Sequence, residues 1–153
     1  MDATEIYVLC RSRSKAVAIR FLDAFAGSRT QVAEDFPYPE FADEPEITYA
    51  TPLDLIERLE NEHDSSYSIY WDCHSEDEPE QVMLFFTSEG RMIVGVGGPK
   101  ESIESSLQKI ATLVDGEYGY VTSGSCPPDT RDEFVEIATA STLPCVVDGR
   151  LRR

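Results

Sequence analysis

The chain has 153 residues, 29 Asp and Glu against 13 Lys and Arg, a net charge of −16 and four cysteines. That length suits one domain, which buries roughly 70% of its unfolded surface without needing a disulfide or metal staple. The charge excludes non-specific binding to nucleic acid or to an anionic membrane, since both require positive surface.

In chain order, residues 5–10 read as a short strand. Ser14 then caps a helix with Val17, Phe21, Leu22 and Phe25 on its apolar side, and Gly27 is expected to end it in a left-handed turn. The turn 11–14 carries Arg11 and Arg13 but lacks the glycines that wrap a phosphate. Residues 34–46 hold six acids, three prolines and the aromatics Phe36, Tyr38 and Phe41. The prolines forbid regular helix and central strand. This segment is either a loop pinned to the core by its aromatics or a stiff recognition segment for a basic surface.

Residues 46–50 read as a strand, followed by Thr51-Pro52-Leu53-Asp54, a helix-start signal. Leu55, Ile56 and Leu59 give that helix its buried side. The stretch 67–98 reads as three consecutive antiparallel strands, with Tyr67, Ile69, Trp71 and Cys73 alternating toward one face. Residues 82–87 are apolar on both faces and are expected to be covered on both sides, and Gly90 suits a hairpin turn. The link 75–80 is acidic and solvated. A helix follows with Ile103, Leu107, Ile110, Ala111 and Val114 on one side, and Gly116 is expected to stop it. A strand at 118–122 and a last helix complete the pattern; Thr130 and Glu133 start that helix, and Phe134, Ile137 and Ala138 face inward. The expected architecture is α+β: a mixed, mainly antiparallel sheet of about five to six strands with three to four helices. A single domain over 1–141 would carry a loosely held tail, 142–153.

The acids are unevenly placed. Between residues 30 and 90 there are 17 acids and one base, Arg58; the rest of the chain holds twelve of each. Adaptation to high salt also makes a chain acidic, but it acidifies the whole surface rather than one stretch. The cysteines, Cys10, Cys73, Cys126 and Cys145, show no CxxC or Cys/His spacing. Cys10 and Cys73 read as buried, inert thiols. Residues 1–5 are polar and acidic and no long apolar run follows. Neither a signal peptide nor a membrane span is therefore expected, and the setting is expected to be reducing and cytoplasmic. No phosphate-loop, metal, cofactor or hydrolase motif is matched. Asp72 and His74 share one side of a strand, which is too few ligands for a closed zinc site.

The order of elements, the acidic Phe36-Pro37-Tyr38-Pro39 segment, Tyr118-Gly119-Tyr120 and Pro127-Pro128 together resemble the small immunity proteins of bacterial polymorphic-toxin and contact-dependent-inhibition systems. The resemblance implies a non-enzymatic, cytoplasmic inhibitor that blocks one toxin, often a basic nuclease. It carries no motif, so the candidate residues come from charge and aromaticity alone. The expected partner-binding set is Asp35, Phe36, Tyr38, Glu40, Phe41, Asp43 and Glu44, with Glu76, Asp77 and Glu78 of the second acidic loop. Two alternatives stand beside it. A small molecule could sit at strand ends near Arg11, Arg13 and residues 95–98 in a regulatory domain, or Cys126, near a helix start, could serve an enzyme.

Overall fold

The computed structural model describes residues 4–153. In order they form β1 (Glu5–Cys10), α1 (Lys15–Phe25), β2 (Thr30–Gln31), β3 (Phe36–Tyr38), β4 (Ile47–Tyr49), α2 (Pro52–Asn61) and β5 (Tyr67–Asp72). Then come β6 (Gln81–Phe86), β7 (Met92–Gly97), α3 (Ile103–Val114), β8 (Gly116–Thr122), α4 (Arg131–Ala140), β9 (Cys145–Val147) and β10 (Arg150–Arg152). The fold is α+β with one large antiparallel sheet of eight strands, ordered β10-β9-β8-β1-β7-β6-β5-β2, and a small β3–β4 ribbon.

Successive side chains on a strand point to opposite faces, and the sheet is covered on both. Ile6, Val8, Ile69, Trp71, Leu84 and Val94 bury on the face that takes α1, α2 and α3. Tyr7, Leu9, Met83, Phe85, Ile93 and Tyr120 bury on the other face with Phe134 and Ala138 of α4. This is why β1, β6 and β7 read as continuous apolar runs rather than as alternation. An aromatic ladder runs along the second face. Ring centroids lie 4.8 Å apart for Phe134–Tyr120, 5.9 Å for Tyr120–Tyr7, 5.7 Å for Tyr7–Phe85 and 5.8 Å for Phe85–Tyr70. Gly95 leaves room for it, since a Cβ there would meet the Tyr7 ring at 2.9 Å. α4 packs over β8 and β9, at the Phe134 end of the ladder.

The local start signals hold in part. Ser14 Oγ accepts the Val17 N–H at 3.2 Å, and Thr130 Oγ1 accepts the Glu133 N–H at 3.3 Å. Thr51 does not cap through its side chain; its hydroxyl donates to Asp54 Oδ2 at 3.1 Å. Gly90 takes a positive φ of 83° in the β6–β7 turn, as expected. Gly27 does not act as a left-handed stop, whereas α3 does end before Gly116, which opens β8. α1 ends where the Ala26 N–H reaches Leu22 O, and the left-handed residue after α3 is Asp115. Ile137 is 43% exposed, because α4 touches the sheet only through a narrow stripe. Cys10 is buried, but Cys73 lies just past β5 and is only half-buried. Residues 145–152, expected to be loosely held, form a hairpin on β8, with Cys145 and Val146 buried.

Candidate functional site

The acidic proline segment is a clamped loop. Phe36 and Tyr38, two residues apart on β3, both point into the core and are 2% and 3% exposed. Pro37 between them is tolerated because β3 belongs to a two-stranded ribbon, where a missing N–H costs no central ladder bond. The Tyr38 hydroxyl bonds Ser65 Oγ, and the Arg58 guanidinium lies over the Tyr38 ring at 4.4 Å. The Tyr67 hydroxyl donates to Pro37 O at 2.8 Å, and the Glu46 N–H closes the loop on Tyr38 O at 2.8 Å. Residues 39–45 project from this base. Phe41, at their tip, is 90% exposed and sits at φ 65°. Left-handed backbone costs a non-glycine residue about 1 kcal/mol, so the clamp holds Phe41 where an unconstrained chain would avoid it.

The ten expected partner-binding residues divide into three groups. Phe36 and Tyr38 are core anchors and are not available to a partner. Asp35, Phe41, Asp43 and Glu44 are exposed around the projecting loop. Glu40 is half-buried, and its carboxylate accepts the Ser68 N–H at 3.2 Å. Ser68 lies in β5 beside the sheet's edge, so Glu40 plugs a backbone donor that would otherwise invite another strand. Burial pushes the Glu40 carboxyl above its ordinary pKa, and the Ser68 hydrogen bond only partly offsets this. Burial also raises the Tyr67 hydroxyl to about 12, with the charges of Glu40 and Asp35 adding to the effect. Glu76, Asp77 and Glu78 sit elsewhere. Their loop follows the Asp72 end of β5, while Glu40 contacts its Ser68 end, so about a strand's length, roughly 15 Å, separates the two acidic loops. Glu76 and Asp77 are exposed, whereas Glu78 accepts hydrogen bonds from Ser28.

A carboxyl whose folded pKa is raised costs stability while ionised and regains it as pH falls through that pKa. Glu40→Gln keeps the acceptor for Ser68 and removes the charge, so its urea midpoint at neutral pH is expected to be unchanged or slightly higher. Glu40→Ala leaves the N–H without its partner and is expected to cost about 1 kcal/mol. A Gln variant as unstable as the Ala variant would show that the negative charge itself is needed there.

The sheet order separates charge. β2, β5 and β6, together with α2 and the β3–β4 ribbon, supply the acidic stretch, whereas Arg150, Arg152 and Arg153 lie at the far edge with β10. Thirteen of the 17 acids in residues 30–90 are exposed. Arg58, the single base among them, is held by Glu46 at 3.1 Å and Glu62 at 2.9 Å. Of the bases outside the stretch, Lys15 reaches into it, to Glu57 at 3.6 Å, while several others pair with acids of their own region. Arg11, Arg91 and Arg131 converge on Glu117, and Arg153 meets Glu104. Burial alone would raise the Glu117 pKa. Hydrogen bonds and charge from Arg131 and Arg91 outweigh it and hold the group below the ordinary carboxylate range.

The second expected site does not assemble. Glu5 pairs with Gly97 and Leu9 with Ile93, so Arg11 and Arg13 leave β1 at the end opposite residues 95–98. Arg13 is also turned into the protein, where its two Nη groups are hydrogen-bonded and its buried Nε has no partner. It is 7% exposed, and its Nη1 donates to Leu59 O at 2.9 Å, Glu62 O at 2.8 Å and Ser65 O at 3.1 Å. Its Nη2 donates to Thr87 O and, at 3.4 Å, to Arg91 O. A single letter in a turn carries no sign of this role. A cleft of about 690 Å³ does lie past the Gly97 end of β7, between α1, α3 and residues 77–79 and 99–101, with Val96 and Phe25 among its walls.

Cys126 is exposed. His63 bonds Glu60 O and His74 bonds Thr30 Oγ1, and among the described residues neither histidine hydrogen-bonds Cys126. Among the described residues no group of three or more His, Cys, Asp or Glu is placed to hold a metal ion, and no helix is long and apolar enough to cross a membrane. No protein-family model, no curated protein and no solved structure matches the chain, so the clamped, charged loop is what a functional reading rests on.

Proposed function

We propose that the protein is a non-enzymatic binding module that docks and blocks a basic protein, in the manner of an immunity-type inhibitor of a toxin or nuclease domain. The observation that carries this reading is Phe41: a large aromatic, 90% exposed, fixed on a loop whose base is buried and whose flanks bear Asp35, Asp43 and Glu44. Aromatic anchors supply most of an interface's energy when buried by a partner, and a rigid loop loses little entropy on docking. The acids around it stand where a nuclease's phosphate ligand would, and they draw a positive surface in from a distance.

The test is kinetic. A partner captured from host lysate on the tagged protein is assayed for association rate from about 0.01 M to about 1 M salt, where the Debye length falls from roughly 30 Å to roughly 3 Å. The rate is expected to fall at least about tenfold, with dissociation changing far less. A rate indifferent to salt would remove electrostatic steering and, with it, this reading. A second reading, a small-molecule domain, is supported by the cleft beside Val96 and Phe25, whose volume lies in the range of ligand pockets.

A further inference from the structure

The aromatic ladder ends in the open. At the Phe134 end α4 covers it, but at the Tyr70 end it borders a groove of about 280 Å³, whose walls include Phe41, Tyr70, Phe85, Cys126, Pro127 and Pro128. Tyr70 is only half-buried, although its ring packs edge-on against Phe85. The groove thus joins the open edge of the second core to a strained, exposed Phe41 and two prolines, with Glu40, Ser66, Ser68, Thr87 and Asp129 as its polar walls. Its volume suits one large apolar side chain. Its charge names the neighbour. No Lys or Arg is among the lining residues, Glu40 and Asp129 are, and Asp43 and Glu44 follow Phe41 directly. A second copy of a chain with net charge −16 would bring like charge to this rim, which opposes self-association.

We infer that this groove is the anchor pocket for one aromatic or large aliphatic side chain of the partner, carried on a segment with Lys or Arg on both sides. The inference rests on the proposed function and deepens it: charge brings the partner, and this pocket sets register by taking one side chain. The buried chain would extend the ladder by one ring, from Tyr70 outward, with Phe41 closing over it.

Three short capped peptides serve as probes: Lys-Lys-Trp-Lys-Lys, Lys-Lys-Gly-Lys-Lys and Glu-Glu-Trp-Glu-Glu. Each is titrated into the 15N-labelled protein at low salt. The cationic Trp peptide is expected to bind about tenfold more tightly than the Gly peptide, the effect of partly burying one large ring. It should move the amides of residues 41, 70 and 126, and the acidic Trp peptide should not bind. Phe41→Gly is expected to abolish the Trp preference without unfolding the protein, because that side chain is exposed and its backbone favours glycine. Tyr70→Ser, at the half-buried end of the ladder, should do the same. Equal binding of both cationic peptides would overturn the pocket while leaving charge attraction intact. Binding of the acidic Trp peptide as tightly as the cationic one would overturn the basic occupant and the proposed function together. Concentration-dependent shifts at residues 41 and 70 without peptide would assign the groove to a second copy instead and overturn the inference.

Discussion

Replacing Arg13 with alanine is expected to lower the unfolding free energy by about 3–5 kcal/mol, since hydrogen bonds from a charged group are worth roughly 1.5–3 kcal/mol each and several are lost together. That is a large share of the 5–15 kcal/mol, roughly, that holds a domain folded. At about 2–4 °C per kcal/mol, the melting temperature should fall by roughly 10 °C. The reason is geometric. The guanidinium gathers carbonyls from three places: Leu59 and Glu62 at the end of α2, Ser65 in the turn after it, and Thr87 and Arg91 in the β6–β7 turn. Leu59 O and Glu62 O accept long backbone bonds, from the Glu62 and Ser65 N–H at 3.3 Å, and carry the partial negative charge of a helix C-terminus, which a cation satisfies. Burial pulls the Arg13 pKa down, yet the group stays charged because its ordinary value is so high. The face of Phe86, 5.3 Å away, covers it. Lysine has no planar fork, so Arg13→Lys is expected to restore only part of the loss. A thermal melt of Arg13→Ala within a few degrees of the parent would show that water replaces the guanidinium freely and that the residue does not tie these segments together.

The second large effect is expected at Phe134. α4 buries only Phe134 and Ala138, and Phe134 is fully buried against Tyr120. Truncating a buried phenylalanine costs about 3–5 kcal/mol, and no other large side chain of α4 is available to share that loss. α4 should therefore loosen before the sheet does. Amide exchange over 131–140 is expected to accelerate about a hundredfold in Phe134→Ala, while β1 and β7 slow their exchange nearly as well as before. If α4 kept its protection, the bonds Ser88–Asp129 and Arg131–Glu117 would be its main anchors rather than the ring.

Much of the fold is legible from local pattern. β5, β6 and β7 are long enough for alternation to be read, and Gly90 marks the turn between the last two. Ser14 and Thr130 cap their helices where their residue types suggest. The shortest strands are not legible in this way. β2 has two residues and β9 and β10 have three each, too few for a period, and their pairing with β5 and β8 is decided by tertiary contact. This accounts for eight strands where five or six are expected. The site divides along similar lines. Proline content marks residues 34–46 as irregular, and the spacing of Phe36 and Tyr38 around Pro37 could have marked them as one buried side of a strand. Nothing local distinguishes Phe41, which is exposed, from those two. The groove could not be read at all, since Tyr70, Phe85 and Pro127 meet only through the sheet.

The position of β1 has a consequence for how the molecule is made. It lies between β7 and β8, so it has no neighbour to pair with until the chain has grown past residue 92 on one side and residue 116 on the other. At about 5–20 residues per second, that is a wait of roughly 5–25 s on the ribosome. Over that time an apolar strand of six residues is held open while the acidic stretch emerges behind it. Mutual repulsion among nascent chains rich in carboxylates would keep them apart during the delay, a service to assembly quite separate from any partner.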